Sequence, residues 1–188
     1  LNLFFSKSGS TEYNAIKKII LKKTIGKKIQ KLFKTKKNFN IDFINHHICH
    51  ASSVFFVSPY QESAILTIDG RGESVSTMFA YGKNNQIDII KEFKIPNSIG
   101  HLYASITDYL GFKPFFDEWK VMGMSAYGTD KYVNNFQDLV EIDNNGEYYL
   151  NLKYFNFHTH GSSKWLSKKF YTTFGPKKNY SDKYLQRH

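Results

Sequence analysis

Three short strand-like runs follow one another between residues 64 and 93, and they constrain the fold more than any other feature of the chain. Ala64–Ile68, Ser74–Tyr81 and Ile87–Phe93 each have the length and the β-branched and aromatic content of a strand. Turn-like stretches rich in glycine and asparagine separate them at 70–72 and 82–85. The pattern therefore predicts a β-meander.

Segments with helical periodicity lie on both sides of the meander. In residues 13–34 apolar residues recur at helical spacing with lysines on the other faces, which predicts an amphipathic helix. His46–Phe56 and Ser98–Leu110 are also predicted helices; the first ends before Ser58-Pro59, and Gly111 stops the second. The shorter predicted elements are a strand at Ile41–Ile44, a turn at Asn144-Asn145-Gly146, a strand at Tyr148–Leu152 and a helix at Ser162–Tyr171. Helices around a sheet indicate an α/β chain.

The net charge of +10 is concentrated at the N-terminal end. Residues 1–40 contain eleven lysines and one acid, whereas residues 41–188 carry fifteen basic and fifteen acidic residues. A basic amphipathic helix can bind nucleic acid or an anionic membrane, or it can be a solvated surface helix with one buried apolar stripe. We favour the solvated helix, because the apolar residues recur at core-packing positions and few aromatic residues lie between the lysines. No nucleic-acid or membrane partner is expected.

The composition excludes several classes of protein. With 41% apolar and 17% aromatic residues, the chain is globular rather than disordered. No stretch approaches the roughly 20 apolar residues of a membrane span. The single cysteine, Cys49, excludes an internal disulfide framework and fits a reducing compartment, so we expect the protein in the cytoplasm.

Two histidines and one aspartate have the spacing of a metal site. His46 and His50 are four apart on a predicted helix and so share one face. Asp69 ends the next apolar run and can reach the same space. Two histidines and one carboxylate are the ligand set of non-haem iron(II) sites, and zinc accepts the same ligands. Residues of these types also occur as ordinary polar residues, so the spacing alone leaves both interpretations open.

Two further motifs have the chemistry to bind an anion. In Asp69-Gly70-Arg71-Gly72-Glu73, glycines would let backbone amides approach phosphate oxygens, although a hairpin turn explains the same residues. It is neither a P-loop nor a dinucleotide-binding fingerprint. Lys120, close to Gly123, can neutralise a phosphate or carboxylate, or it can be a solvated lysine at the start of a helix.

The order of the motifs is more specific than any one of them. The first are His46-His47-x-x-His50-Ala51-x-Ser53, Ser58-Pro59-Tyr60 and Asp69-Gly70-x-Gly72-Glu73. Those that follow are Pro96–Tyr103, Leu110-Gly111-Phe112, Glu118–Gly128 and the tail Phe174-Gly175-Pro176 … Gln186-Arg187-His188. This order, mainly over residues 45–128, resembles that of the nodulation and antibiotic-tailoring O-carbamoyltransferases.

The resemblance implies a partial actin/hexokinase-like (ASKHA, ribonuclease H-like) domain with a mixed sheet flanked by helices, similar to the tRNA threonylcarbamoyladenosine transferase subunit. In that family the two outer histidines and the aspartate bind a metal, usually iron; these correspond to His46, His50 and Asp69. A second domain of the same chain activates carbamoyl phosphate with ATP to carbamoyl-adenylate. The metal domain then passes the carbamoyl group to a small-molecule hydroxyl acceptor.

The chain departs from the family pattern in several ways. By the resemblance, we expect residues 1–188 not to include the leading hairpin, a downstream aspartate or the C-terminal activating domain of the family, and Asp117-Glu118 replaces the usual Gly-Glu. We therefore expect residues 1–188 to be a single incomplete N-terminal domain, with a basic helical segment at 1–40 and the metal and nucleotide sites in 41–188.

The expected function is O-carbamoyl transfer, for which a truncated chain of this kind can be inactive on its own. Gly70, Arg71, Gly72 and Glu73 are expected to contact the adenylate phosphate, and Lys120 to neutralise developing negative charge. The expected metal is iron(II), with zinc as the alternative. Two rival functions remain: another metal-dependent transferase or hydrolase, and a basic-helix module that binds nucleic acid or membrane.

Overall fold

The computed structural model describes residues 11–179, with side chains described from residue 19 onward. The chain divides into two compact units, and the boundary in the sequence falls between Ile44 and Asn45. The end of the tail motif, Gln186-Arg187-His188, lies outside the described residues. Among the described residues, no helix has the combined length and apolar character that a membrane crossing requires.

The first unit is dominated by helix α1, Thr11–Leu32, which confirms the predicted basic helix. Its apolar positions are not all buried, however: Ile20, Leu32 and Phe33 are exposed. The predicted buried stripe is therefore wrong at these positions, because the only other described part of this unit is the short segment that follows the helix. That segment has no regular structure at Ile41–Ile44, and the strand predicted there is wrong, because within residues 11–179 no other strand pairs with it.

The second unit begins with the predicted helix and meander. Their bounds are α2 His46–Phe55, β1 Glu62–Gly72, β2 Val75–Lys83 and β3 Gln86–Lys94. The strands form one antiparallel sheet in the order β1-β2-β3, which confirms the meander. The mixed sheet predicted from the resemblance is wrong for the described residues, since every pairing in this part of the chain is antiparallel. The α/β character is confirmed, and the ASKHA fold stays a prediction.

Strand β1 extends further than the sequence predicted. It continues through Gly70 and Arg71 to Gly72, which pairs with Val75 after an irregularity in register that begins at Ile68. The glycine stretch is thus a bulged strand end rather than a break. The turn itself lies at Glu73 and Ser74, and Glu73 adopts a left-handed φ of 49°.

The rest of the unit builds a second core against helix α3, Ile99–Tyr109. Its remaining elements are α4 Glu118–Ser125, α5 Val133–Gln137, β4 Val140–Ile142, β5 Tyr148–Leu150, α6 Phe157–His160 and α7 Lys168–Phe174. The turn at Asn144-Asn145-Gly146 joins β4 to β5 as predicted. The helix predicted at Ser162–Tyr171 is wrong over its first half, because Leu166 is buried and pairs with Phe155 before α7 begins.

Two hydrophobic clusters stabilise this unit. Helix α2 packs on the sheet through Ala51, Val75, Met78 and Ala80. The larger cluster joins α3 to the C-terminal elements and is mainly aromatic; it includes Tyr109, Tyr154, Phe155, Phe157, Trp165, Phe170 and Phe174. Full burial of one such side chain contributes about 1.5–3 kcal/mol.

Candidate metal centre

Helix α2 begins where the first candidate ligand stands. The side chain of Asn45 accepts hydrogen bonds from the backbone N–H groups of His47 and Ile48, which caps the helix and sets His46 as its first residue. His46 and His50 are then one turn apart, with ring centroids 4.5 Å from each other. Both rings project toward the end of β1.

His47, between the two candidates in sequence, has a different task. It is fully buried, its Nε2 lies 3.0 Å from the carbonyl oxygen of Val75, and its Nδ1 lies 2.7 Å from the hydroxyl of Thr67. Because a carbonyl only accepts, Nε2 carries the hydrogen and Nδ1 accepts from Thr67. His47 thus holds α2 on the sheet. Because the directions of side chains along a helix are fixed relative to one another, this attachment also fixes the directions of His46 and His50.

The three predicted ligands meet at one point. The Nε2 atom of His46 lies 2.6 Å from Oδ2 of Asp69 and 3.0 Å from Nε2 of His50, and the Nε2 atom of His50 lies 3.6 Å from the same oxygen. Two imidazole nitrogens at 3.0 Å cannot both carry a hydrogen, since the hydrogens would collide. At least one nitrogen lone pair and the carboxylate therefore face the centre, which favours a bound proton or cation.

The dimensions of this triangle fit a metal ion. A circle through the three atoms, which are 2.6, 3.0 and 3.6 Å apart, has a radius of about 1.8 Å, so a cation can lie about 2.1 Å from each atom. At that bond length, neighbouring ligands are separated by about 3.0 Å around an octahedral ion and by about 3.4 Å around a tetrahedral one. The measured separations average about 3.1 Å, and the donor set of two imidazoles and one carboxylate suits iron(II) or zinc.

The surroundings of Asp69 keep its carboxylate ionised. Burial by itself would raise the pKa of Asp69, but the hydrogen bonds from His46 and from the backbone N–H of Gly70, together with positive charge on the His46–His50 pair, lower it below its ordinary value. The side chains of His46, His50 and Asp69 remain 40%, 53% and 39% exposed. The centre is therefore open to solvent and can admit a further ligand.

Two glycines make room for this centre. A Cβ atom at Gly72 would lie 2.3 Å from Cδ2 of the His46 ring, so the ring can occupy its place only because residue 72 has no side chain. A Cβ atom at Gly100 would lie 2.5 Å from the backbone nitrogen of Gly70 and 2.6 Å from the carbonyl oxygen of Asp69. Glycine at these positions permits contacts that any other residue would prevent.

Helix α3 is tied to the same strand end. The hydroxyl of Ser98 donates to the carbonyl oxygen of Gly70 at 2.7 Å and accepts from the backbone N–H of His101 at 3.0 Å. Ser98, which caps the N-terminus of α3, thus also hydrogen-bonds to Gly70, the residue that follows Asp69. The position of Asp69 depends on α2, β1 and α3 together.

The predicted phosphate segment adjoins the centre, but its parts differ in role. The backbone N–H of Gly70 already donates to Oδ1 of Asp69 at 2.6 Å, and Gly72 lies beneath His46. Arg71 is exposed, and its charge acts on His101. Glu73 is exposed at the turn. The phosphate-binding role of Gly70, Arg71, Gly72 and Glu73 stays a prediction.

Lys120 lies on helix α4. The contacts described for it are with residues between 112 and 119, not with the three candidate ligands. Its Nζ is 2.8 Å from Oδ1 of Asp117, and this hydrogen bond lowers the pKa of Asp117. The ammonium also lies 5.4 Å from the ring of Trp119. Asp117 stands where the resemblance implied a glycine, and its carboxylate gives Lys120 an acidic partner.

Residues 6–187 match the family described as Carbamoyltransferase N-terminus. This chain belongs to the carbamoyltransferase family. The resemblance inferred from the motif order is therefore confirmed.

Several relatives support the family assignment. An uncharacterized protein of Synechocystis sp. is 39% identical over 161 residues, which cover 84% of this chain and 26% of that protein. Nodulation protein NolNO of Sinorhizobium fredii is 38% identical over 113 residues, or 60% of this chain and 16% of that protein. Nodulation protein NolO of Bradyrhizobium diazoefficiens is 37% identical over 110 residues, or 58% of this chain and 20% of that protein. The matched region of this carbamoyltransferase family member spans about a quarter or less of these relatives.

Proposed function

We propose that this chain contributes the metal-binding part of an O-carbamoyltransferase. In this proposal the carbamoyl group passes from carbamoyl-adenylate to the hydroxyl group of a small-molecule acceptor. The activating reaction, which makes the adenylate from carbamoyl phosphate and ATP, belongs to a further domain of the complete enzyme. A cytoplasmic location fits these substrates and stays part of the proposal.

The observation that carries the proposal is the convergence of His46, His50 and Asp69 within a family whose name refers to carbamoyl transfer. These three residues would hold an iron(II) or zinc ion, which when bound supplies a Lewis acid for the carbamoyl carbonyl. The half-exposed side chains leave space on the solvent side where the donor and the acceptor hydroxyl can approach each other.

The neighbouring residues are proposed to handle the phosphate that leaves with AMP. Arg71 supplies positive charge beside the strand end formed by Gly70, Gly72 and Glu73. Lys120 is proposed to neutralise negative charge that develops during transfer. Since Asp117 partly neutralises this lysine, the Asp117→Asn variant should make the ammonium more available to a substrate.

Metal analysis tests the ligand assignment. We expect about one iron or zinc ion per chain in the wild-type protein and loss of that ion in His46→Ala, His50→Ala and Asp69→Ala, measured by elemental analysis after dialysis. His160→Ala is the matched control, because His160 is an exposed histidine away from this cluster. Full metal content in His46→Ala or Asp69→Ala would refute the assignment.

An activity assay separates carbamoyl transfer from other metal-dependent chemistry. The complete enzyme is incubated with carbamoyl phosphate, ATP and a panel of alcohols, including sugars. We expect AMP and a carbamoylated alcohol as products. Hydrolysis of a substrate without a carbamoylated product would instead favour a metal-dependent hydrolase that uses the same three ligands.

A further inference from the structure

His101 lies beside the candidate centre, and the metal assignment does not use it. It stands in the first turn of α3, and the edge of its ring faces Gly70. A Cβ atom at Gly70 would lie 3.7 Å from Nε2 of His101 and 3.5 Å from Cε1 of Phe115. Since glycine has no Cβ, the strand end, the imidazole edge and the Phe115 ring border a gap about the size of one methyl group, one residue from Asp69.

The backbone conformation of Phe115 places its ring beside this gap. It has a left-handed φ of 66°, which is uncommon for a residue with a large side chain. Its backbone N–H donates to Oε1 of Glu118 at 2.6 Å, which stabilises this conformation. Unfavourable backbone conformations of this kind concentrate at ligand-binding sites. The ring is 55% exposed, so this wall of the gap is accessible from solvent.

The other side of His101 is enclosed by aromatic rings. The ring centroids of Phe157 and Trp165 lie 5.0 and 5.8 Å from that of His101. Within this enclosure, Nδ1 of His101 is buried and has no hydrogen-bond partner. Buried polar atoms of this kind are rare and need an explanation. A phenylalanine would fill the same enclosure without a buried nitrogen that lacks a partner, so the histidine is explained if its other nitrogen contacts a ligand.

The enclosure also determines which nitrogen carries the hydrogen. Burial, followed by the charge of Arg71, lowers the pKa of His101 to about 4, against the opposing effect of Asp69, so the ring is neutral at pH 7 and has one N–H. A buried N–H donor without a partner is rarer than a buried acceptor without one. The hydrogen is therefore better placed on Nε2, the atom that faces Gly70.

We infer that His101 is a substrate-positioning residue, whose Nε2–H donates a hydrogen bond to a phosphate oxygen of a ligand lying over Gly70, between Phe115 and Arg71. This inference rests on the proposed function, in which the ligand is an adenylate. Arg71 supplies positive charge. His101 fixes the position of the phosphate oxygen, because an N–H on a rigid ring can donate in only one direction. Sequence reasoning missed His101, since its distance from Gly70 is a property of the tertiary structure.

Two substitutions separate this role from packing. His101→Phe keeps a planar ring among Phe157 and Trp165 but removes both nitrogens. His101→Gln retains a side-chain N–H close to the place of Nε2. Binding of AMP and of inorganic phosphate is measured by calorimetry with the full chain. It is followed independently by the emission of Trp165 in a Trp119→Phe background, since Trp165 packs near His101.

We expect His101→Phe to bind AMP about 10-fold more weakly or worse, which is the effect of losing one hydrogen bond to a charged oxygen. His101→Gln should recover part of that loss. The melting temperature of His101→Phe should equal or exceed that of the wild type, because the buried nitrogen without a partner is gone. A merely structural histidine would not combine weaker binding with unchanged or higher stability.

The results also distinguish this inference from the proposed function. If His101→Phe binds both probes with wild-type affinity, or if the wild-type chain binds neither, the inference is overturned. Dependence on His101 with either probe supports it. The metal content of His101→Phe should remain at the wild-type level, so that loss of metal in the ligand variants and loss of phosphate binding here are separate outcomes.

Discussion

Replacement of Gly72 by alanine should displace the ring of His46 and disable the candidate metal centre. The new Cβ would lie 2.3, 2.5 and 2.6 Å from Cδ2, Cγ and Cβ of His46. Carbon atoms approach to about 3.5 Å without penalty, so the histidine must retreat by about 1 Å. Its Cβ is one of the atoms in the clash, and therefore rotation of the ring alone cannot relieve it.

The size of this displacement decides the expected effect. Metal–ligand distances hold within about 0.2 Å, so a shift of about 1 Å removes Nε2 of His46 from the centre. We expect affinity for Zn²⁺ or Fe²⁺ to fall by about 10- to 100-fold or more, which is the range for changes next to a ligand. Overpacking should also cost about 1–3 kcal/mol of unfolding free energy. Metal titration by calorimetry and thermal unfolding followed by circular dichroism measure the two effects.

Gly70→Ala is the matched control for this experiment. It is the same substitution in the same strand, two residues away. Its Cβ would meet Phe115 and His101 only at 3.5 Å or more, which is ordinary contact. We expect wild-type metal affinity and a melting temperature close to that of the wild type. If Gly70→Ala and Gly72→Ala bind metal equally well, the reasoning from the His46 contact is refuted.

Three other changes test the surrounding structure. Gly100→Ala should lower the unfolding free energy by about 3 kcal/mol in urea titrations, because its Cβ would lie 2.5 Å from the backbone nitrogen of Gly70; a loss below about 1 kcal/mol contradicts this. Tyr109→Phe should cost about 1–2 kcal/mol by the same assay, since its hydroxyl donates to the carbonyl oxygen of Phe174 at 2.6 Å and the buried carbonyl would lose its donor; unchanged stability argues against it. Burial lowers the pKa of His101 from 6.5 to about 4, so the unfolded chain takes up a proton below pH 6.5 while the folded chain does not until about pH 4. The contribution of His101 to the unfolding free energy is therefore fully present above about pH 6.5. Relative to His101→Phe, the unfolding free energy should fall by about 2 kcal/mol between pH 7 and pH 5, and parallel pH profiles of the two proteins would contradict this prediction.

The elements that local sequence determines are the ones it predicted well. Helix α2 has its own cap in Asn45, and the strands of the meander carry their own turns, so their bounds were found to within a few residues. The strand at Ile41–Ile44 failed because a strand needs a partner that composition does not reveal. The helix at Ser162–Tyr171 failed because Leu166 pairs with Phe155, eleven positions earlier in the chain.

The candidate site divides in the same way. His46 and His50 were found because four residues make about one helical turn, and Asp69 because it ends an apolar strand. Gly70 and Gly72 looked equivalent in sequence, yet only Gly72 contacts the His46 ring. The role of His47 was also hidden, since its partners Thr67 and Val75 are at least twenty residues away.

By itself, then, the sequence determined the types of the candidate ligands, the spacing of the two histidines along one helix turn, the meander and the family. Those properties depend on neighbours in the chain and on the order of motifs. Tertiary structure alone decided that Asp69 lies 2.6 Å from His46, that Gly100 admits α3 to the end of β1, and that His101 faces Gly70. The physical reason is that these are contacts between segments more than twenty residues apart, and their distances follow from how the helices pack on the sheet.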